Sequence, residues 1–433
     1  MNVTTHLTTI ATIGADALID GMVLAEDLHH FNGRLILKKS TQLGPRELRI
    51  IRMWGITEAR IQKSLPPGEA LSPEEKTTSS DEKAEAAAKE LFRFADLEQE
   101  LNRELYRLFL TRFTTKEAKE PSPSSLLSPP GAGKGAKAVK PVDAREKLKE
   151  DIKLPSLPDI VVRINEAVTN PNCTATHIAN IINKDSSLTA RLLKLVNSAF
   201  YNFPTTIESI PRAVTIIGTR QLSAIAMATA VTSTFRDIPP DIIDMKSFWK
   251  HSLACGIICR LIAGYKRNGN LDTESYFLAG LLHDIGRLIM YQYFSREAKD
   301  ILDRARSESR LLFQVEPELL LLRHSELGSI LIEQWKLPPL LYCSCLYHHD
   351  PLESPDKMVS SITHAADIIA NALQMGSSGE RYVPPLDPGA WQQIGLPVSV
   401  IAPIVQQTDG ILRETVHTYL DHADHEKASP ERE

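Results

Sequence analysis

The chain has 433 residues, 42% hydrophobic and 24% charged, enough apolar content for sizeable cores, which excludes a chain disordered throughout. Forty-nine basic residues stand against 54 acidic ones, a net charge of −5. That argues against a nucleic-acid partner or an anionic membrane surface, since both need clustered positive charge.

At ~150 residues per domain, the length predicts two or three domains with linkers. Residues 1–63 read as a small α+β module. Met22 to Ala25 has strand character, Asn32-Gly33 is a two-residue hairpin signal, and Arg34 to Lys38 is the return strand. Pro45 suits the first turn of a helix that Gly55 stops, and Ile56 to Gln62 is a further strand. Residues 64–80 form a Pro- and Ser-containing linker. Residues 81–115 read as one amphipathic helix, with Leu91, Phe94, Leu97, Leu101, Leu105 and Leu108 on one face. That face either packs on a neighbouring domain or pairs two copies in a short coiled-coil homodimer; the heptad is brief and irregular, which favours the first. Residues 116–141, rich in Pro, Gly, Ser and Lys, bury too little to order themselves and read as a flexible tether. The 421–433 tail reads the same way.

Residues 142–420 carry helical periodicity almost throughout, so this body is an all-α bundle. Leu157-Pro158 opens a helix, Thr174 caps a second, Asp185 or Ser186 caps a third, and Gly218 ends the segment from Ile207 to Ile217. No apolar stretch approaches the ~18 residues of a membrane span, and the N-terminus lacks a signal-peptide pattern. Five cysteines without a Cys-x-x-Cys pair point to a reducing, cytoplasmic setting, with neither a disulfide framework nor a cysteine-based zinc site.

Seven side chains of the second half have metal-ligand chemistry: His251, His283, Asp284, His324, His348, His349 and Asp367. Most lie within or at the ends of apolar helices, where buried polar groups need partners. Imidazole suits Fe, Mn, Co or Zn, and a carboxylate can bridge two ions. Two divalent ions in such a site would leave net positive charge, attract a phosphate and acidify a bound water. The competing reading is a set of ordinary structural histidines. His364, one turn before Asp367, reads as a packing residue. Cys255 and Cys259, four apart on the His251 helix, read as buried small hydrophobes.

The ordered set His251, His283-Asp284, His324, His348-His349, Asp367 resembles the HD superfamily of metal-dependent phosphohydrolases in its HD-GYP branch. The preceding segments LPSLPDIVVRINEAV, DSSLTARLLKLVNSAFYN and IESIPRAVTIIGTRQL resemble the front half of the HDOD domain, the HD-related output domain of bacterial signalling proteins. Asn197-Ser198, Ala213 and Gly218 stand where that pattern expects them. The likeness runs from about Leu154 to Ala372, dividing the body into an HDOD-specific half (142–240) and an HD-like half (241–420). Residues 18–62, through Gly21 to Asp27, Asn32 to Leu35 and Trp54 to Ile56, are similar to a small module that often precedes such domains.

The resemblance implies a regulatory output or scaffold module with a protein partner in a signalling pathway. Its HD-type site would hold one or two divalent ions such as Fe or Mn, and a nucleotide is an expected ligand. The alternative is an active phosphohydrolase with Asp284 as the bridging ligand and Arg287, in the basic position after His-Asp-Ile-Gly, contacting phosphate. No Gly-Tyr-Pro follows His348-His349, so cyclic di-GMP hydrolysis is not expected.

Overall fold

A computed structural model of the chain describes residues 8–14, 18–29, 35–53, 58–64, 79–114, 139–170, 173–197, 206–232, 234–235, 238–266 and 271–420. The Asn32-Gly33 turn, the Trp54-Gly55 stop, Ser198, nearly all of the two linkers and the 421–433 tail lie outside the described residues. The chain divides into two compact units, one of residues 1–79 with 399–410, the other of residues 80–398 with 411–433.

The first unit carries strands β1 (Thr8–Gly14), β2 (Val23–Leu24), β3 (Leu28–His29), β4 (Leu35–Leu37) and β5 (Glu58–Ser64), with helix α1 (Pro45–Met53) before β5. β5 lies between β1 and β2, antiparallel to both. The sequence reading passed over β1, although Thr and Ile fill it and β-branched side chains suit a pleated surface. The return strand after Asn32-Gly33 pairs with Leu28–His29, not with the expected strand at Met22 to Ala25. That strand is committed elsewhere: Leu24 accepts from Ser40 and donates to Thr41, and Ala25 donates to Arg60. Leu18, Leu24, Leu43, Ile51 and Ile61 form the small core.

The second unit is helical. Its first two helices, α2 (Ser79–Leu91) and α3 (Glu100–Thr114), correct the expected single helix over 81–115. The apolar three- and four-residue steps continue through the break, which is why periodicity alone missed it. Asp96 breaks the chain locally: its side chain accepts the Glu98 amide, and its carbonyl accepts from Asn102. Phe92 then packs edge-on against Tyr106. Leu101 and Leu105 are buried, and Arg112 donates to the Leu373 carbonyl within the same unit. Part of the predicted apolar face is thus buried within the chain, while Leu97 remains 38% exposed.

Helices α4 (Ala144–Glu150), α5 (Asp159–Thr169), α6 (Ala175–Ile182), α7 (Ser186–Val196), α8 (Ile210–Ile217) and α9 (Thr219–Thr232) build the front half. Thr174 caps α6 by accepting from His177, and Asp185 caps α7 by accepting from Leu188. Gly218 ends α8 at a φ of +90°, a conformation open to glycine. Asn197 ties α7 to the following chain: its amide donates to the Leu193 and Ile207 carbonyls, and its oxygen accepts the Ile207 amide.

The back half comprises α10 (Met245–Tyr265), α11 (Thr273–Leu282), α12 (Ile285–Tyr293), α13 (Ser295–Ser307), α14 (Leu312–Leu320), α15 (His324–Gln334), α16 (Pro339–Tyr347), α17 (Lys357–Ala372) and α18 (Pro388–Ile394); α19 (Ile401–Leu420) follows, with its residues up to Gly410 belonging to the first unit. Among the described residues no helix is long and apolar enough to cross a membrane.

Candidate metal centre

The site lies where several back-half helices begin or end. α10 presents His251 from its interior, and α17 presents Asp367. His283 closes α11 and Asp284 starts α12 in the next position, so one sharp join delivers both. His324 is the first residue of α15, while His348 closes α16 and His349 follows it.

Glycines permit this convergence. A Cβ on Gly280 would come within 2.5 Å of the Cys255 carbonyl oxygen, so α11 can lie against α10 only without one. Where α12 crosses α15, Gly286 faces Gly328 and the His324 carbonyl, and any side chain on Gly286 would collide with that backbone. The same crossing fixes Asp284 relative to His324.

All seven predicted ligands come together. Asp284 is central: its Oδ2 is 3.4 Å from His283 Nε2 and 3.9 Å from His251 Nε2. Its Oδ1 is 3.1 Å from His324 Nε2 and 3.7 Å from His348 Nε2. Asp367 Oδ1 is 3.1 Å from His251 Nε2 and 3.5 Å from His283 Nε2. His324 Nε2 also lies 3.2 Å from both His348 Nε2 and His349 Nε2. The donors therefore form two lobes joined by Asp284.

The far side of each ring tells which nitrogen is free. His283 Nδ1 donates to the Gly280 carbonyl and His348 Nδ1 to the Cys345 carbonyl, both at 2.7 Å. His324 Nδ1 donates to the Glu316 carboxylate, 2.7 Å from Oε2, which also accepts the His324 backbone amide. Carbonyls and carboxylates only accept, so these partners fix the proton on Nδ1 and turn Nε2 inward. His251 differs, since its Nδ1 has no hydrogen-bond partner among the described residues. Asp367 is steadied by Asn371, which donates to Oδ1.

Electrostatics prepares the same donor set. Burial opposes the charge on Asp284, but the Arg287 guanidinium and then His283 hold its carboxyl well below the usual range. Burial also opposes Asp367, and His251 and His283 outweigh it. On His283 burial is overcome by the Asp284 and Asp367 carboxylates, which hold its pKa up to about 10. Burial pulls His348 down to about 3, reinforced by His283 and His324, and it pulls His349 down as well. The cluster thus has ionised carboxylates, with His348 and His349 held neutral by burial, while the raised pKa of His283 expresses the carboxylates' demand for positive charge at the centre.

These features fit a metal. His283 Nε2 and Asp284 Oδ1 are buried without a hydrogen-bond partner among the described residues although polar atoms surround them. Both residues belong to a donor group whose ligand atoms lie within 4.8 Å of one another. Two nitrogens bound side by side to one ion at ~2.1 Å stand about 3 Å apart, close to the 3.2 Å found around His324. Donors able to share an ion occur in the groups His251, Cys255, His283, Asp367 and His324, His348, His349, with His283, Asp284, His348 between them.

Two residues differ from their sequence readings and one was missed. Arg287 is only 2% exposed, with Nε 3.3 Å from Asp284 Oδ1 and with Glu316 and Glu380 close enough to act on its charge. It is ion-paired with Asp284, and its Nε and Nη1 are buried without a hydrogen-bond partner among the described residues. Cys255, expected to be a hydrophobic filler, belongs to a donor group. Glu316 escaped notice, and the only signal was an acidic side chain inside the apolar stretch LFQVEPELL. His364 packs, as expected: Nδ1 donates to the His348 carbonyl and Nε2 accepts the Asp387 amide.

The HDOD domain family matches residues 154–351. A solved HDOD domain protein of unknown function from Geobacter sulfurreducens is 26% identical, with a TM-score of 0.57 over 64% of this chain and 97% of that one. A candidate signal transduction protein from Marinobacter aquaeolei VT8 shares the fold at 21% identity and a TM-score of 0.50, over 62% of this chain and 59% of that one. An uncharacterized protein of Treponema pallidum (strain Nichols) is 24% identical over 216 residues, 49% of this chain. The chain spans 41% of that curated relative.

Proposed function

We propose, from the match of residues 154–351 to the HDOD domain family, that this is a signal-transduction protein whose HDOD domain acts as a helical interaction module organised around a divalent metal centre. The carrying observation is how closed that centre is. Six of the seven donor residues are at most 6% exposed, and only His349 has intermediate exposure. A structural metal site has its positions filled by the protein, while a catalytic one keeps a position open to water or substrate, and the buried donors are numerous enough to fill the positions of each lobe. The burial of Arg287 supports the same reading, because the residue expected to hold a phosphate is already engaged by Asp284. The module's partner would be a protein, and a nucleotide is the small ligand to test first. A cytoplasmic setting belongs to this reading, supported by five free cysteines.

One observation favours a metal-dependent phosphohydrolase instead: the two oxygens of Asp284 address different lobes, as a ligand bridging two ions does. Metal analysis of protein purified without chelator, followed by a screen of phosphoesters and nucleotides including cyclic di-GMP, separates the two. We expect one or two divalent ions per chain and no turnover. Metal-dependent hydrolysis that disappears in Asp284→Ala would replace the regulatory reading with the enzymatic one. A protein that takes up no divalent ion would remove the metal centre.

A further inference from the structure

We propose that Cys255 is a metal ligand, its thiolate joining His251, His283 and Asp367 in a four-coordinate site that selects a thiophilic ion such as zinc over manganese or magnesium. This rests on the reading that the cluster holds metal, and it adds a donor of a different chemical kind.

His251 and Cys255 are four residues apart on α10, so both side chains leave the same face one turn from each other. The Cys255 Sγ lies 3.6 Å from His251 Nε2. His251 Nε2 is 3.1 Å and His283 Nε2 3.5 Å from Asp367 Oδ1. All four donor atoms lie within 4.8 Å of one another.

Those separations can be set against the edges of a coordination tetrahedron. With metal–nitrogen and metal–oxygen bonds of ~2.0–2.1 Å and a metal–sulfur bond of ~2.3 Å, the edges are about 3.3 Å between nitrogen and oxygen and about 3.6 Å between nitrogen and sulfur. The observed values bracket the first and equal the second. An independent feature points to the same place: His283 Nε2 is fully buried, has no hydrogen-bond partner among the described residues and belongs to this donor group. The donor set of two imidazoles, one carboxylate and one thiolate is soft enough to favour zinc, cobalt or ferrous iron over harder ions.

The neighbouring cysteine supplies the contrast. Cys259, one turn further along α10, is equally buried, and its thiol approaches the Ile362 carbonyl at 3.8 Å. It belongs to no donor group among the described residues. Cys255 makes a similar 3.8 Å approach to the Ala366 carbonyl, so a filler role would need nothing more; the proximity of two imidazoles and a carboxylate is the surplus. Binding replaces the Cys255 S–H bond with a sulfur–metal bond, and the proton leaves to solvent.

The test uses full-length protein stripped of metal and reloaded with Zn(II) or Co(II), at one and at two equivalents. X-ray absorption at the metal edge should show a sulfur neighbour at about 2.3 Å, and the Co(II) form should show thiolate-to-cobalt charge-transfer absorption. Both signals should vanish in Cys255→Ser and persist in Cys259→Ser, and a tenfold excess of Mn(II) should not displace Zn(II) from the wild type. Bound metal with only nitrogen and oxygen neighbours in the wild type overturns the proposal and leaves the metal centre standing. Absence of any metal uptake overturns both. Because the wild-type spectrum alone decides, a poorly folding variant does not blunt the test.

Discussion

The two halves of the helical body solve opposite problems with the same element. In the front half, α5 to α9 close over a core of Ile164, Ile178, Ile182, Leu192, Val214 and their aliphatic neighbours, and among the described residues of this half no histidine or charged side chain is buried. In the back half, equally apolar helices enclose His251, His283, Asp284, His324, His348 and Asp367. The first core is stable through burial of apolar surface. The second contains groups whose desolvation is unfavourable, and it needs mutual pairing or a cation to offset that. One half therefore needs only to fold, while the other has a reason to bind.

That contrast is open to direct attack, and the heaviest blow is Asp284→Ala. Asp284 touches four histidines and faces Arg287. Its removal leaves a buried guanidinium without its nearest carboxylate, a class of change that costs about 3–5 kcal/mol. We expect a large drop in urea midpoint together with loss of metal uptake by equilibrium dialysis. A variant that keeps wild-type stability and wild-type metal content would show that the two lobes do not depend on their shared carboxylate.

Leu192→Ala strikes the other half. Leu192 is fully buried, and truncation to alanine in such a core costs about 3 kcal/mol. Here stability should fall while metal stoichiometry stays the same, measured on the folded protein below its transition. Loss of metal with Leu192→Ala would mean that the two halves are one cooperative structure and that the distinction fails.

A smaller and more selective effect is expected from Glu316→Gln. The Glu316 carboxylate accepts from both His324 Nδ1 and the His324 amide. An amide can still accept one of these bonds, but it carries no charge to raise the basicity of the ring. Partners of this kind change metal affinity by about 10–100-fold. Metal affinity should weaken within that range with the helical circular-dichroism signal unchanged. Unchanged affinity would make Glu316 a stabiliser of the α14–α15 join and nothing more.

The contrast also explains what the sequence could and could not tell. Local rules were legible: Thr174 and Asp185 as caps, Gly218 as a stop, and the ordered histidines and aspartates as a converging set. The break at Asp96 hides because the apolar spacing runs on across it, although the turn itself is local, with Asp96 accepting the Glu98 amide and Phe92 folding back on Tyr106. The other losses at the site came from longer-range packing. Glu316 lies in α14 and its histidine opens α15, so no single helical pattern links them. Cys255 looks like any small buried residue until α17 brings Asp367 beside it. Arg287 reads as a free cation until its burial behind Asp284 is seen.

The mildest test lies at the cap of α7. Asp185 has an extended backbone, and its side chain accepts the Leu188 amide at 2.9 Å, satisfying one of the amides that a helix leaves unpaired at its start. Asp185→Ala removes that acceptor and the negative charge at the positive end of the helix dipole, at a cost of about 1 kcal/mol. Asp185→Asn keeps an acceptor and should recover most of the loss, because the charge itself contributes only a few tenths of that figure at an exposed end. Neither change touches a donor of the cluster, so metal content and affinity should match the wild type in both. If Asp185→Ala alters metal affinity while Asp185→Asn does not, the cap of α7 reports to the metal centre, and the front half is part of the machinery instead of the platform beneath it.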